Sequence, residues 1–408
     1  MKCVVFDGHR RALAFFDGTE SLLAHLRPLI GGWSWREVEP DGEGAAWRVG
    51  REGDGYVIQA PWLDAAIRER SPVRAAGHLA VDLVEAHLAD HPDQLCLHCG
   101  AAEWDGQLVL FPGRARAGKS TLMARLAADG VRVLADDVLP TCGDQDEWGW
   151  SFGLAPRIRM PLPPQAGARL EAFVQRHGGP GDEGARYLLA PAEVAPRHGH
   201  RARIGSIVLL ERSTERAKAE LCAVAPGEGL ASLIVQNLAP GLPAGELVAR
   251  LHQIVMRVPC LRLRYSDLDD ACRVLQCGFS SKSRPLPQTR RAAADMCNVP
   301  AAPRGTRRSI DPTRLYQRAR NLDTHRAEGE LFLVNRRTRG IHRLNDLGAG
   351  IWRLLDQPTS LESALQVVAG AYPEEPMARI EGDVHALFAA LTDQGLITPV
   401  PGIADRCC

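Results

Sequence analysis

The segment from residue 113 to residue 121 carries the residue types whose spacing points most directly to chemistry. It follows the pattern G-x-x-x-x-G-K-[ST], in which two glycines frame a short loop and a lysine and a hydroxyl side chain follow it. Such a loop surrounds phosphate oxygens with backbone N–H groups, its lysine reaches the β- and γ-phosphates, and its hydroxyl coordinates Mg²⁺. We therefore predict a nucleoside triphosphate site at Gly113, Arg114, Ala115, Arg116, Ala117, Gly118, Lys119, Ser120 and Thr121.

The residues on either side of this loop supply the context that the motif requires. A continuous apolar run, 108–111, precedes it, as expected for a buried parallel strand. After it, Leu122, Met123 and Leu126 recur at helical spacing, and Gly130 suits the position just past a helix end. The alternative is a chance match in a chain with 39 glycines, and the strand-loop-helix order argues against it.

Paired carboxylates, Asp136 and Asp137, follow at the end of the next predicted strand. In phosphate-loop enzymes a carboxylate at the end of a neighbouring strand holds the metal ion. Two adjacent acids offer one group for Mg²⁺ and one to accept a proton from an attacking hydroxyl. Both can serve only if the strand has ended there, because successive strand residues point to opposite faces. The alternative is an Asp-Asp turn that merely ends the strand.

His98 precedes the loop by one predicted hairpin, whose turn is the segment 104–107. The hairpin would bring His98 to the end of the loop-bearing strand, where it could orient a carboxylate or contact a transferring phosphate. A structural role for this histidine is the alternative. Cys96, His98 and Cys99 also suggest zinc, but no second pair with zinc-finger spacing follows them.

Composition limits the class of protein. The chain has 408 residues, enough for two or three domains. Lys and Arg together number 49, as do Asp and Glu, so the formal net charge is zero. A net charge of zero disfavours a nucleic-acid or membrane-surface binder. No apolar run reaches the ~18 residues of a membrane span, and no secretory h-region opens the chain. Eleven scattered cysteines then indicate reduced thiols, and we predict a cytoplasmic protein.

Four regions are distinguishable along the chain. We predict an N-terminal α+β region, 1–93, a catalytic α/β domain, 94–278, a linker, 279–310, and a final module, 311–400. The linker is rich in proline and carries seven basic residues against one acid, with few large apolar residues. Such a segment cannot offset its ordering entropy by burial. A solvated tether is one interpretation of it, and a patch for an acidic peptide or RNA is the other.

The order of His98, the loop, Gly130 and the Ala135-Asp136-Asp137 end resembles the HPr kinase/phosphorylase family. The resemblance extends through 207–211 and a helix with Leu247, Leu251 and Ile254. The resemblance implies an α/β P-loop kinase core with a fold like that of phosphoenolpyruvate carboxykinase. It also implies an activity in which ATP and Mg²⁺ are used to phosphorylate a serine hydroxyl on a protein. By position it makes Asp137 the base, with Asp136 beside it, Lys119 a phosphate ligand and His98 an assistant. Ser120 and Asp136 are then the metal ligands.

The downstream glutamate-and-arginine signature of that family is not clear in this chain. Arg157 and Arg159 occupy roughly its place and could supply a cation to transition-state oxygens, or could be surface residues. HPr kinases assemble as hexamers, so the resemblance also implies a homo-oligomer, although no interface is legible in the sequence.

The final module is similar to PqqD, the peptide-binding protein of pyrroloquinoline quinone biosynthesis. The similarity lies in Leu333-Val334-Asn335, Thr338-x-Gly340, Leu344-Asn345 and Ile351-Trp352, and in the closing Gly-Leu-Ile. It implies a winged helix-turn-helix module that captures the leader of a ribosomal precursor peptide by adding a strand to an exposed sheet edge. A DNA-binding winged helix is the alternative. The groove predicted by this resemblance comprises Leu331, Phe332, Leu333, Val334 and Asn335 with Val384 and Leu387.

Together the two halves predict an ATP-dependent kinase that phosphorylates a Ser/Thr-type hydroxyl on a precursor peptide. No nucleic-acid or membrane partner is expected. A small-metabolite kinase and an ATP-hydrolysing peptide chaperone without phosphotransfer remain as alternatives.

Overall fold

The chain folds into two compact units, Met1–Leu242 with Arg250–Arg291 and Pro243–Ala249 with Ala292–Cys408. The structure is a computed structural model that describes residues 1–39, 47–113, 117–163, 166–182, 184–213, 218–239, 241–280, 310–327, 330–335 and 340–400. Arg114, Ala115 and Arg116 of the predicted loop lie outside the described residues, as does most of the predicted linker. Within the described part of the chain, no helix is long and apolar enough to cross a membrane.

The N-terminal part of the first unit is a sheet covered by a long helix. The sheet has the strand order β3-β1-β2-β4-β5-β6, and its apolar face packs on the helix α2. Ser71 caps α2 by accepting a hydrogen bond from the N–H of Arg74, and a proline occupies the first turn. The elements are β1 (Lys2–Phe6), β2 (Ala12–Phe15), α1 (Leu22–Leu26), β3 (Trp35–Val38), β4 (Trp47–Glu52), β5 (Gly55–Gln59), β6 (Ile67–Glu69) and α2 (Pro72–Asp90).

The rest of the first unit is built on a larger mixed sheet, in agreement with the predicted α/β fold class. The elements of this part are β7 (Cys96–Leu97), β8 (Cys99–Trp104), β9 (Gln107–Pro112), α3 (Lys119–Ala128), β10 (Arg132–Ala135), β11 (Leu139–Cys142), β12 (Trp148–Trp150), β13 (Arg157–Arg159), α4 (Gly167–His177), β14 (Gly178–Gly181), β15 (Ala185–Leu188), β16 (Arg201–Arg212), β17 (Glu220–Ala223), α5 (Pro226–Val235), the second half of α6 (Ala244–Arg257), β18 (Cys260–Tyr265) and α7 (Leu268–Phe279). The first half of α6 belongs to the second unit. The large sheet runs β10-β8-β9-β16-β12-β11-β7, with β18 beside β16 and β17 beside β18.

The predicted hairpin before the loop is confirmed. β8 and β9 pair in antiparallel register from Cys99↔Pro112 to Trp104↔Gln107. Asp105 and Gly106 both have positive φ, as a two-residue hairpin turn of this kind requires. On its other side β8 pairs with β10, where Ala135 lies opposite Ala101. The start of β8 and the ends of β9 and β10 therefore meet at one edge of the sheet.

Among the described residues, two hydrophobic cores contribute to the stability of the first unit. One lies between the N-terminal sheet and α2 and includes Cys96, Trp150 and Phe152 from the second part of the unit. The other lies around α3 and includes Phe111, Leu122 and, from the last strand, Leu263. Residues 1–93 thus share a core with the part of the chain that carries the predicted site.

The second unit contains two small sheets and a set of helices. Its elements are β19 (Leu315–Arg318), β20 (Leu322–Ala327), β21 (Glu330–Asn335), β22 (Ile341–Leu344), α8 (Asp346–Leu354), β23 (Thr359–Ser360), α9 (Leu361–Ala371), α10 (Met377–Asp393) and β24 (Ile397–Pro399). One sheet runs β23-β19-β24 and the other β20-β21-β22. Asn345 caps α8 by accepting a hydrogen bond from the N–H of Gly348 at 2.9 Å.

The segment 359–362 has the T-x-x-E pattern of a capping box, which predicts Thr359 as the helix cap, but the cap lies one residue later. The helix α9 is present, but its cap is Ser360, whose hydroxyl accepts from the N–H of Ser363 at 3.1 Å. Thr359 is engaged elsewhere, because its hydroxyl donates to the carbonyl oxygens of Leu354 and Gln357, each at 2.8 Å.

Candidate active site at the end of the central sheet

Gly118 joins the loop to α3 and must be glycine for two reasons. It is the N-cap of the helix with φ of 91°, in the left-handed region that a side chain disfavours. A Cβ at this position would also lie 3.0 Å from the hydroxyl of Tyr265. The strand β9 before the loop and the helix after it have the order that the sequence predicted.

Lys119 is buried in the first turn of α3, and its ammonium group points back across the loop. Nζ donates to the carbonyl oxygen of Gly113 at 3.0 Å and to that of His98 at 3.4 Å. The predicted phosphate-binding lysine therefore lies between the first glycine of the loop and the residue that precedes β8. In this arrangement its charge is held by backbone carbonyls.

Gln236 is a site residue that the sequence did not indicate. It follows α5 directly and is 6% exposed. With its amide nitrogen facing the loop, it donates to the carbonyl oxygen of His98 at 2.7 Å and to that of Gly113 at 3.1 Å. The backbone carbonyl oxygen of Gln236 accepts a hydrogen bond from the N–H of His98 at 2.7 Å. Gln236 and Lys119 therefore share two acceptors, and only the folded chain reveals this, because no motif surrounds residue 236.

His98 and Asp137, two of the predicted site residues, are hydrogen-bonded to each other. The imidazole Nε2 of His98 lies 3.1 Å from Oδ1 of Asp137 and 3.5 Å from Nζ of Lys119. One ring nitrogen cannot both donate to the carboxylate and accept from the ammonium, and the shorter contact favours donation to Asp137. This hydrogen bond lowers the pKa of Asp137, and the positive charge of Lys119 adds to the effect. Asp137 is thus an ionised, half-exposed carboxylate.

Asp136 lies in the opposite environment from its neighbour. It is 7% exposed, and neither carboxylate oxygen has a hydrogen-bond partner among the described residues. Burial, and then the charge of Asp137, raise the pKa of Asp136 to about 7, although the nearby hydroxyl of Ser120 and the backbone N–H of Arg157 partly oppose this. The strand β10 has ended at Ala135, so the two acids can serve one site while lying in different surroundings.

The residues around Asp136 fit a magnesium ion. A buried carboxylate without a partner is stabilised by a cation, and the hydroxyl of Ser120 lies beside it. Mg²⁺ typically takes one or two carboxylates plus substrate phosphates and water. Among the described residues no group of three or more His, Cys, Asp or Glu side chains is arranged to hold a metal ion. A site completed by phosphate oxygens does not require such a group.

The two predicted arginines have different positions. Arg157 and Arg159 point to the same, exposed side of β13. Arg157 makes an ion pair with Asp182 at 2.9 Å and lines a cleft that also borders Asp136 and Asp137. Arg159 is exposed and does not line that cleft. The geometry therefore favours Arg157 as the cation nearer the site.

The residues predicted to form a peptide groove do not lie at a sheet edge, and this prediction is wrong in that respect. β21 is the central strand of its sheet, paired with β20 on one side and β22 on the other. Of the side chains predicted for the groove, Leu331, Leu333, Val384 and Leu387 belong to the hydrophobic core of the second unit. The others are also buried: Phe332, Val334 and Asn335. A strand added to this sheet would have to pair with β20 or β22.

The final module has a recognisable relative. Residues 330–397 match the family described as Coenzyme PQQ synthesis protein D (PqqD). These residues form a PqqD-like domain. The match runs from β21 to the first residue of β24 and does not include the first unit.

Two solved structures are similar to parts of the chain. The first is TbiB1 in complex with the TbiA(beta) leader peptide, which is 19% identical with a TM-score of 0.20 and covers 21% of this chain and 99% of that one. The second is the Hpr(Ser) kinase/phosphatase from Coxiella burnetii, which is 11% identical with a TM-score of 0.23 and covers 44% of this chain and 93% of that one. No curated protein matches the chain. Both TM-scores are too low for either similarity to indicate a function.

Proposed function

We propose that this protein is an ATP- and Mg²⁺-dependent kinase that phosphorylates a Ser/Thr-type hydroxyl of a ribosomally synthesised precursor peptide. The observation that carries the proposal is the difference in environment between the carboxylates of Asp136 and Asp137. One carboxylate is buried without a partner beside Ser120, and the other is exposed and hydrogen-bonded to His98. A phosphotransferase needs both kinds, because the metal ligand and the proton acceptor have different tasks.

The phosphate-binding groups on this chain are the loop and Lys119. The N–H groups at the start of α3 and the positive end of that helix favour an anion. We propose that Lys119 leaves the carbonyl oxygens of Gly113 and His98 when ATP binds and turns to the β- and γ-phosphates. Ser120 and Asp136 would hold Mg²⁺, which supplies neutralisation of phosphate charge.

The chemical step is a transfer from ATP to an alcohol. The hydroxyl oxygen of the acceptor forms a bond to the γ-phosphorus as the bond from that phosphorus to the bridging oxygen of ADP breaks. The hydroxyl proton passes to the carboxylate of Asp137. A low pKa suits this residue, because phosphoryl transfer is loose and the proton leaves late. His98 keeps the carboxylate ionised and oriented through its 3.1 Å hydrogen bond.

The PqqD-like domain supports a peptide as the acceptor. In the sheet β20-β21-β22, β20 and β22 each pair only with β21 among the described strands. Each therefore has an outer edge to which a leader strand could add. Recruitment by such a domain raises the effective concentration of a tethered substrate to about the millimolar range. This would let the catalytic site act on a weakly bound acceptor segment.

Radiolabelling tests the proposal directly. The full chain is incubated with γ-labelled ATP, Mg²⁺ and a precursor peptide encoded beside its gene, with and without the leader segment. We expect label on the peptide, and a KM that is much lower when the leader is present. Lys119→Ala should abolish transfer, whereas Lys218→Ala, at an exposed lysine, should not.

Two results would contradict the proposal. Label on a small molecule in a cell extract, with equal rates for peptides with and without the leader, would indicate a metabolite kinase. Label found only as free phosphate, with the peptide still bound, would indicate an ATP-hydrolysing chaperone.

A further inference from the structure

A cleft lies beside Asp136 and Asp137, and its other lining residues have no role in the mechanism above. Its cavity volume is about 400 Å³, which is in the range of small-molecule and short-segment sites. One wall is a face of α2, and the opposite wall comes from Leu154, the start of β13 and from β15. Asp136 and Asp137 lie in its lining, so whatever fills the cleft is adjacent to the proposed proton acceptor.

We propose that this cleft binds the acceptor segment of the substrate, with the hydroxyl-bearing residue at the aspartates and an apolar neighbouring residue against α2. The inference rests on the proposed function and adds the sequence preference of the acceptor. It also gives residues 1–93 a role, because α2 belongs to that part of the chain.

The apolar character of the cleft comes from both walls. Val73 and Val81 of α2 face it, and Val138 and Leu154 line it from the other side. Val81 is 56% exposed although most of its helix is buried, and it is the only strongly exposed valine that α2 contributes within the described residues. Covering an apolar side chain there would remove apolar surface from water, which stabilises binding.

The two arginines that line the cleft, Arg74 and Arg157, are already paired with carboxylates. Arg74 contacts Glu69 at 2.9 Å, and His78 contacts the same carboxylate at 3.0 Å. Arg157 pairs with Asp182 at 2.9 Å. Backbone hydrogen bonds from Gly184 and Ala185 lower the pKa of the Asp182 carboxyl, and the charges of Arg157 and Arg74 lower it further. The arginines therefore offer no unbalanced positive charge to an acidic peptide. Arg157 uses one terminal nitrogen for Asp182 and keeps N–H groups that can donate to a peptide carbonyl.

The two walls are in direct contact, so the cleft exists before a ligand binds. The hydroxyl of Tyr187 on β15 lies against Gly77 on α2, in the space that a Cβ at Gly77 would occupy. Burial raises the pKa of Tyr187, so this hydroxyl stays protonated and neutral at physiological pH. A preformed site reduces the ordering entropy of binding, which suits an acceptor segment delivered by a separate domain.

A set of short peptides tests the preference on the full chain. The probes are N-acetylated hexapeptides with one serine in a glycine background, flanked on either side by leucine, alanine, glutamate or lysine and lacking any leader. We expect kcat/KM for a leucine-flanked peptide to exceed that of its alanine counterpart by about tenfold, since apolar side chains discriminate by about 10–200-fold. Val81→Asp should remove this preference, so that the leucine-flanked and alanine-flanked peptides have a similar kcat/KM. Val367→Asp, at a 52% exposed position of α9, is the matched control.

Binding is measured in parallel by fluorescence anisotropy, with a fluorescein-labelled leucine-flanked peptide and a non-hydrolysable ATP analogue. Val81→Ser replaces Val81→Asp if the charged variant has a lower Tm. A leucine-to-alanine ratio that Val81→Asp does not change, or a preference for the glutamate-flanked peptide, overturns the inference. If no peptide is labelled although ATP binds, the proposed kinase function fails, and anisotropy then decides the cleft separately. Peptide binding that depends on Val81 supports the cleft, and binding that does not depend on it overturns the cleft.

Discussion

The imidazole of His98 donates to Asp137 across the ends of two strands that are joined only through the sheet. His98 precedes β8, Asp137 follows β10, and the 3.1 Å contact between them lies next to the pairing of Ala101 with Ala135, which follows a shift in the register of the two strands. A hydrogen bond to the ionised carboxylate favours that form, so the pKa of Asp137 is lowered. The relationship makes His98 a positioning residue for the proposed proton acceptor.

Replacing His98 should therefore move the pH dependence of transfer. A base must be ionised to accept a proton, so the rate falls as the pH decreases through the pKa of Asp137. In His98→Ala that pKa rises, and we expect the acid limb of kcat/KM to shift to higher pH. Asp137→Asn should instead lower the rate at every pH, by about 10²–10⁴-fold for loss of a general base.

The control for this measurement is His25→Ala on α1, which should leave the profile unchanged. A profile of unchanged position in His98→Ala, with a uniformly lower rate, would indicate that the histidine contacts the phosphate and not the base.

Asp136 should make the protein less stable as the pH rises. Its pKa is raised from 3.8 to about 7 by burial and by Asp137, so the folded state binds a proton more tightly than the unfolded state does. The free energy of unfolding then decreases between pH 4 and pH 7, because the buried carboxyl must ionise in the fold. We expect Asp136→Asn to flatten this dependence and to raise Tm at pH 8 by at least about 2–4 °C.

Thermal unfolding of both proteins between pH 5 and pH 8 checks this expectation. Addition of MgATP should stabilise the native protein more than Asp136→Asn, since the variant lacks the proposed metal ligand. A variant that is less stable than the parent at pH 8 would show that Asp136 has a stabilising partner.

Gln236 should matter for nucleotide affinity although it is not expected to touch the nucleotide. Its amide donates to the same two carbonyl oxygens as Lys119, so it satisfies them when the lysine turns to the phosphates. An unsatisfied buried carbonyl costs about 1–3 kcal/mol, so Gln236→Ala should hold Lys119 on these carbonyls and raise the Kd for ATP by about tenfold. Equilibrium binding of a fluorescent ATP analogue measures this.

A double-variant cycle separates this role from a general structural one. In the Lys119→Ala background no lysine has to leave the carbonyls, so Gln236→Ala should cause no further loss of affinity. A further tenfold loss in that background would contradict the positioning role.

The sequence predicted the parts of the site that are local in the chain. The loop, the strand before it and the helix after it follow from short-range patterns, and the hairpin 104–107 follows from a turn signal with positive φ. Asp136 and Asp137 could be named for the same reason. The pattern could not predict their different burial, because that depends on which segments of the folded chain pack around each carboxylate.

Features made by distant segments were missed. Gln236 reaches the loop from 123 positions further along the chain than Gly113, without any motif around it. The wall of the cleft on α2 depends on how residues 1–93 share a core with Phe152. In the second unit, the alternation in 330–336 is typical of a strand, and β21 forms there, but the pattern does not show whether that strand is central or at an edge of its sheet. The register with β20 and β22 decides that question.

Leu333 should behave as a core residue of the PqqD-like domain and not as a peptide contact. It is fully buried in a cluster with Trp352, Val384 and Phe388, on a strand that is paired on both sides. Leu333→Ala should destabilise this domain by about 2–5 kcal/mol, whereas Val367→Ala, at an exposed position, should have little effect. Hydrogen exchange of the amides of β21 measures the local stability, and binding of a leader-bearing peptide should weaken only as far as these amides lose protection. Normal protection together with lost peptide binding would show that the side chain itself contacts the leader, and the central position of β21 would then not exclude it from the binding surface.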